Sequence, residues 1–345
     1  MAVPIIYPKP LRIGDTIAVT APSSGVEPHL HHLLHRSREV VERLGYNVTE
    51  GGTIWTNDKC VSAPAAVRAE ELQQFMLESG VRAVIPPWGG EFLMDILPLL
   101  DWEELVRHQP KWLLGFSDLS TLMFAYTLIT GHATAHGPNY IDIGSSQDAL
   151  TTRWLDVLGT AAGGEIEQLS SLKYQSEWDF PKPGFRLDTE TEWKVLGHEH
   201  DRERQTAFSG RLLGGCMDTI SILIGTPYAP VERFAAEYGT ETGLVWYLES
   251  CEMNAADIYR HLWQMKLCGW FESCSGLILG RPAGYSPHKN FELQDGLNAV
   301  FGSFSFPVIY DADIGHVPPQ LTLVNGAVGD ISCRNGIGAV KMSFV

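Results

Sequence analysis

The chain has 345 residues, of which 44% are hydrophobic and 19% charged, and its 25 basic and 41 acidic side chains leave a formal charge of −16 at pH 7. Such a length predicts two domains rather than one overgrown core. The negative balance excludes a nucleic-acid polymer or an anionic membrane surface as the expected partner.

In chain order, "DTIAVTAP" reads as a strand that ends in the small-residue turn Ser23-Ser24-Gly25. "HLHHLLHRSREVVERLG" reads as an amphipathic helix closed by Gly45, and "AAVRAEELQQFMLES" as a second helix. "VRAVIPPW" is a strand running into Gly89-Gly90, with "EFLMDILPLL" as the helix after it. Next comes "PKWLLGFSDLSTLMFAYTLIT", residues 110–130. Here a short apolar strand stops on Gly-Phe-Ser-Asp, and from Leu119 the apolar residues recur at helical spacing. Strand–helix alternation of this kind implies a parallel sheet covered on both faces, with ligands bound outside the carboxyl ends of its strands. The turns at Ser23-Ser24-Gly25, Gly89-Gly90 and Ser117-Asp118 fall at those ends.

Residues 146–205 break the alternation. They are polar, include two Trp and two Pro in "SLKYQSEWDFPKPGFRLDTETEWKVLGHEHDRER", and read as a linker or insert with a short irregular or β portion. The expected organisation is therefore an N-terminal domain over 1–145, the insert, and a second domain over 206–345. That second domain contains "GRLLGGCMDTISILIGTPY", the strand "GLVWYLES", the helix "AADIYRHLWQMKLCGWF", the strand "SGLILGRP" and "FPVIYDADIGHVPPQLTLVNGA". No apolar run approaches the ~20 residues needed to span a bilayer. The start has no basic segment followed by an apolar one, so no signal peptide is expected. Six cysteines spread over the chain without a C-x-x-C pair suit a reducing compartment. The expected location is the cytoplasm.

Ser117 admits two readings from the residues alone. It is either the N-cap of the helix that follows, or a nucleophile on a tight strand-to-helix turn where the helix N-terminus favours developing negative charge. A nucleophile needs a base, a partner that orients the base, and donors for the oxyanion. Among twelve histidines, His316 has the most suggestive setting, between Gly315 and a Val-Pro-Pro run. The alternative is a loop histidine with no task. Glu249 ends an apolar strand, where a carboxylate is costly to bury unless paired; the alternative is that it has already reached solvent. The backbone amides of Asp118 and Gly90 are candidate oxyanion donors. His31 and His35 share a helical face and His198 and His200 lie close together. Neither pair has H-E-x-x-H spacing, so no metal and no cofactor is expected. "GGCMDT" is weak evidence for a dinucleotide.

Taken in order, "LRIGDTIAVTAPSSG", "WGGEFLMDILPLLDW", "LLGFSDLSTL", "HGPN", "GRLLGGCMDTI", "LVWYLES…IYRHLWQM", "GLILGRP" and "DIGHVPPQLTLVNGA" resemble the LD-carboxypeptidase family of serine peptidases. Within it the resemblance is strongest to the branch that gives immunity to microcin C. The resemblance implies a Rossmann-like N-terminal domain and a β-rich α/β C-terminal domain, usually in a homodimer, with the active site in the cleft between the domains. It carries the catalytic roles onto Ser117, Glu249 and His316, and the oxyanion amides onto Gly90 and Asp118. The implied substrate is a small peptide or a peptidyl- or aminoacyl-nucleotide conjugate, with a murein tetrapeptide as the alternative. A binding module that has lost the chemistry is the rival from another class. Trp178 and Trp193 in the insert are candidates for stacking on a nucleobase, or anchors of the insert.

Overall fold

A computed structural model describes residues 4–145, 148–176, 184–199, 201, 203–239, 241 and 243–345. The apolar runs of the first part form strands β1 (Thr16–Val19), β3 (Val81–Val84) and β4 (Trp112–Gly115), and two strands not read from the sequence, β2 (Asn47–Glu50) and β5 (Thr134–His136), join them. They pair parallel in the order β2-β1-β3-β4-β5. In such a doubly wound sheet ligands bind beyond the strands' carboxyl ends, where the strand order reverses. Helices α1 (His31–Arg43), α2 (Ala65–Leu77), α3 (Trp102–Arg107) and α4 (Leu119–Thr130) connect the strands. "EFLMDILPLL", expected as a helix, forms a 3-10 helix over Leu93–Leu99 with Pro98 inside it. Proline lacks the N–H that an α-helical ladder would need there.

The second sheet uses strands β6 (Glu165–Leu169), β9 (Lys194–Val195), β10 (Thr206–Cys216), β11 (Leu244–Glu249), β12 (Cys274–Gly280), β13 (Val308–Ala312), β15 (Val328–Arg334) and β16 (Ile337–Ser343). Strands β7 (Lys173–Tyr174) and β8 (Thr189–Glu190) form a separate pair, and β14 is Leu323–Asn325. Strands β10 to β13 run parallel at the centre, and antiparallel strands flank them on both sides.

Helix α4 joins the two halves. Of its 12 residues, 11 are buried, and no side chain caps its N-terminus. A helix apolar on every side belongs in a core. Its Phe124 packs at 6.0 Å from Trp246 of β11 and 5.3 Å from Trp270, and those two indoles stack at 5.4 Å. Each large apolar side chain buried this way contributes about 1.5–3 kcal/mol, against about 1 kcal/mol for a cap. Packing, not capping, places the helix.

Two features depart from the linear division expected from sequence. Residues 146–205 are not only a linker, because β6 and β9 within them are the outer strands of the second sheet. Strand β6 is exposed and buried at alternate residues, so its apolar signal is half that of a central strand. The chain also returns after residue 316 to add β14, antiparallel to β5, at the edge of the first sheet. The two halves are thus interlocked through the C-terminal segment. All six cysteines are free. Among the described residues no helix is long and apolar enough to cross a membrane.

Candidate active site

Three turns at the carboxyl ends of β1, β3 and β4 come together. Asp118 is buried, and its carboxylate accepts hydrogen bonds from the Ser23 hydroxyl at 2.5 Å, the Leu93 amide at 2.9 Å and the Thr121 hydroxyl at 3.2 Å. The Ser24 amide donates to the Gly89 carbonyl at 3.3 Å. Asp118, not Ser117, is the N-cap residue of α4. The Ser117 hydroxyl is therefore not spent on the helix. Ser117 has φ 64°, a left-handed conformation that a non-glycine residue adopts at a cost of about 1–3 kcal/mol. That backbone turns its half-buried side chain toward the cavity described below.

Gly89 is what lets the turn pass so close. A methyl group there would lie 2.6 Å from Ser117 Cβ, 2.7 Å from its Oγ and 2.8 Å from the Asp118 nitrogen. Gly90 follows with φ 144°, and a methyl group on it would overlap the Ser23 and Ser24 hydroxyls. Among the described residues neither the Gly90 amide nor the Asp118 amide donates to a protein acceptor. Both N–H groups remain available next to the serine. Gly89→Ala is expected to keep the fold but lower kcat at least about tenfold by pushing Ser117 off its turn, since small misplacements at a reacting centre are costly. Unchanged kcat would show that the turn tolerates the shift.

Glu249 ends β11 and is fully buried, so the open question of its solvation is answered by the tertiary structure. Its Oε2 accepts a hydrogen bond from His316 Nδ1 at 2.7 Å. The ring nitrogen comes within reach because Gly315, at φ 88°, has no Cβ; one there would overlap Glu249 Oε2. Phe116 packs edge-on against the imidazole at 4.7 Å between ring centroids. Burial opposes both charges, yet the pair outweighs it. The Glu249 carboxyl is held below its ordinary range by His316, and His316 is raised well above the usual imidazole value by Glu249 and the Cys251 thiol. His136, buried close by, is pushed down to about 4 by burial and stays neutral.

A cavity of about 390 Å³ opens over these groups, with Ser117 and His316 both in its wall. Its other sides include Trp88, Glu91, Asn139, Asp142, Phe185 and Cys251. Burial raises the carboxyl of Asp142 to about 6, and raises that of Glu91 with help from Glu252 and Asp118. Asn139 accepts from the Phe116 amide at 3.2 Å and so fixes the residue before the serine.

The insert tryptophans admit two readings, stacking or anchoring, and the structure addresses only one of the two residues. Trp178 lies outside the described residues. Trp193 is 2% exposed and donates from Nε1 to Asp313 at 2.9 Å. A ring enclosed like this offers no face for stacking, so Trp193 is an anchor. Asp313 also accepts from Arg281 at 2.8 Å and from the Ser171 hydroxyl at 2.6 Å, which pins the start of the loop that carries His316. Gln168 of β6 brackets Thr322 beyond it, at 2.7 and 3.1 Å. His31 bonds the carbonyls of Val26 and Trp55, and His35 packs on the Trp55 ring, so that cluster is local structure. His200 lies outside the described residues.

Asp218 is a residue that sequence reasoning missed. Its carboxylate accepts from the Cys251 and Glu252 amides at 3.1 and 3.0 Å, holding the turn just past Glu249. "GGCMDT" is the end of β10 and the helical turn Met217–Ile220 after it, and an acidic residue two positions past a strand end was the available signal.

Two family descriptions match the chain: the LD-carboxypeptidase N-terminal domain over residues 17–137 and the LD-carboxypeptidase C-terminal domain over 209–331. The microcin C7 self-immunity protein MccF of Escherichia coli is 23% identical, over 92% of this chain and 90% of its own length. A murein tetrapeptide carboxypeptidase of Pseudomonas aeruginosa is 24% identical, over 88% and 89%. The solved structure of MccF with glutamyl sulfamoyl guanosine superposes with a TM-score of 0.82 at 21% identity, covering 99% of this chain and 100% of that one.

Proposed function

The chain belongs to the LD-carboxypeptidase family of serine-type carboxypeptidases, and on that premise we propose that it cleaves an amide near the C-terminal end of a small peptide or aminoacyl-nucleotide conjugate. The observation that carries this reading is the 2.7 Å His316–Glu249 hydrogen bond, set in the wall of the cavity into which the positive-φ turn presents Ser117. His316 takes the Ser117 proton as the hydroxyl attacks the amide carbonyl, and the Gly90 and Asp118 amides hold the oxyanion. The imidazolium then protonates the leaving amine, and water, activated by the same ring, releases the acyl group. Glu249 keeps the ring in the tautomer with its proton on Nδ1 and stabilises the cation that forms.

An aminoacyl conjugate fits the cavity better than a peptide with a free terminal carboxylate. Among the described residues the cavity wall has the carboxyls of Glu91 and Asp142 and no lysine or arginine. Such a wall complements the α-ammonium of an aminoacyl group and repels an incoming carboxylate. Trp88 and Phe185 in the cavity wall are the aromatic rings placed to stack on a base, an interaction of ~1–3 kcal/mol per base. The structure of MccF with glutamyl sulfamoyl guanosine is a precedent for such a ligand in this fold. The murein reading rests on relatives such as the Pseudomonas aeruginosa enzyme.

Hydrolysis of an aminoacyl sulfamoyl adenosine and a murein tetrapeptide side by side decides between them. The first is expected to have a kcat/KM at least about tenfold higher, a difference of ~1.4 kcal/mol in transition-state stabilisation. The reverse ratio assigns the murein role. Turnover of neither, with no labelling of Ser117 by a fluorophosphonate, would leave a non-enzymatic binding module.

A further inference from the structure

We propose that Cys216, Glu249 and His316 form a binding site for a thiophilic divalent cation such as Zn²⁺, and that filling it switches the hydrolase off. The switch rests on the proposed role of His316; the binding does not. The ligand atoms of these three buried residues all lie within 4.8 Å of one another. The sheet itself makes the juxtaposition, because Cys216 at the end of β10 is the direct register partner of Glu249 at the end of β11. Glu249 Oε1 is a second, independent pointer. It is fully buried and receives no N–H or O–H donor among the described residues, with the Cys216 thiol as its neighbour. A buried carboxylate oxygen without a strong donor is an unusual expense, and a cation would satisfy it.

The donor set selects the ion. Sulfur, imidazole and carboxylate suit zinc, with bonds of about 2.0–2.3 Å and ligand atoms therefore about 3–4 Å apart. Calcium and magnesium prefer oxygen alone. Cys251 interacts with His316 and lines the cavity, so it marks the route by which the ion enters, and the fourth position of a tetrahedral site is left to water.

As the ion binds, the Cys216 thiol releases its proton to solvent and a sulfur–metal bond forms. Solvent takes the His316 proton from Nδ1 and returns one to Nε2, the freed Nδ1 lone pair takes the metal, and the Nδ1–H···Glu249 bond is lost. The neutral ring then carries its one proton on Nε2. In that state it has no lone pair facing the serine and cannot accept the Ser117 proton.

The test is a titration of the full-length protein with Co²⁺, read as the thiolate-to-cobalt charge-transfer absorption. One equivalent is expected to bind and to be displaced by Zn²⁺. Cys216→Ser is expected to weaken binding at least about tenfold, and Glu249→Gln, isosteric with the native side chain, serves as a second variant should the first fail to fold. Cys60→Ser and Cys268→Ser, at exposed thiols, are expected to leave the absorption unchanged. Absence of the band, its survival in both site variants, or its loss in either surface variant overturns the site. In parallel, Zn²⁺ is expected to block fluorophosphonate labelling of Ser117, with EDTA restoring it; a cobalt-loaded protein that labels normally overturns the switch. Failure of the hydrolase reading looks different, since Ser117 would then stay unlabelled without metal while the cobalt band remained.

Discussion

Ser117→Ala is expected to abolish turnover and leave the fold intact. The hydroxyl is not the cap of α4, whose N-terminal turn is organised by the Asp118 carboxylate and its partners Ser23, Leu93 and Thr121. Removing it breaks none of those bonds. Alanine meets the same left-handed backbone restriction as serine at φ 64°, so no new strain is introduced. The thermal midpoint should stay within a few degrees of wild type, corresponding to less than about 1 kcal/mol. Loss of a nucleophile that acts together with its base typically costs more than about 10³-fold in kcat. The measurement is kcat on the preferred substrate, together with fluorophosphonate labelling of wild type and variant. A variant that keeps more than about a thousandth of wild-type kcat would move the nucleophile elsewhere.

Glu249→Gln is expected to show its effect in two places. The first is kcat, which should fall by about 10²–10⁴-fold, because an amide presents either group to the ring and lets the imidazole settle in the wrong tautomer. KM should change far less, since the carboxylate interacts most strongly with the imidazolium of the transition state. The second is the pH profile. In the native protein the carboxylate and the Cys251 thiol outweigh burial and raise His316 well above the usual imidazole value. A base must be unprotonated to act, so kcat/KM rises with pH as His316 loses its proton, and this acidic limb lies above about 6.5. Without the carboxylate, burial is opposed by less and the His316 pKa falls. The limb then moves to lower pH even as the plateau drops. A Gln variant with wild-type kcat and an unmoved limb would remove Glu249 from the mechanism. Asp118, Glu252 and Asp313 would be the next carboxylates to consider. Of these, Asp118 and Asp313 are already bound to other partners, Ser23, Leu93 and Thr121 for the first and Arg281, Trp193 and Ser171 for the second.

What the sequence by itself determined is local. Apolar periodicity and the residues that interrupt it set β1, β3 and β4, helices α1, α2 and α4 and the turn at Ser117, because each depends on neighbours within one or two turns of chain, whereas β2 (Asn47–Glu50) and β5 (Thr134–His136) are too short and too polar to carry such a pattern. The strand that ends in Glu249 was legible for the same reason. Tertiary structure decided everything that joins distant positions. Glu249 and His316 are 67 residues apart, and no local pattern encodes that a carboxylate and an imidazole will meet. Asp218 beside the turn at Cys251, and Cys216 beside Glu249, likewise follow from the pairing of β10 with β11. The polar stretch around β6 read as a linker or insert with only a short irregular or β portion, because β6 exposes every second side chain, which halves its apolar signal. Trp193 read equally as a stacking surface or as an anchor, because an aromatic residue in a polar stretch has the same sequence signature whether it faces ligand or core. Only packing against Gly338 and the bond to Asp313 bury it. Periodicity reports which face of an element is buried; which element covers that face depends on contacts between residues far apart in the chain, and those exist only once the sheets have formed.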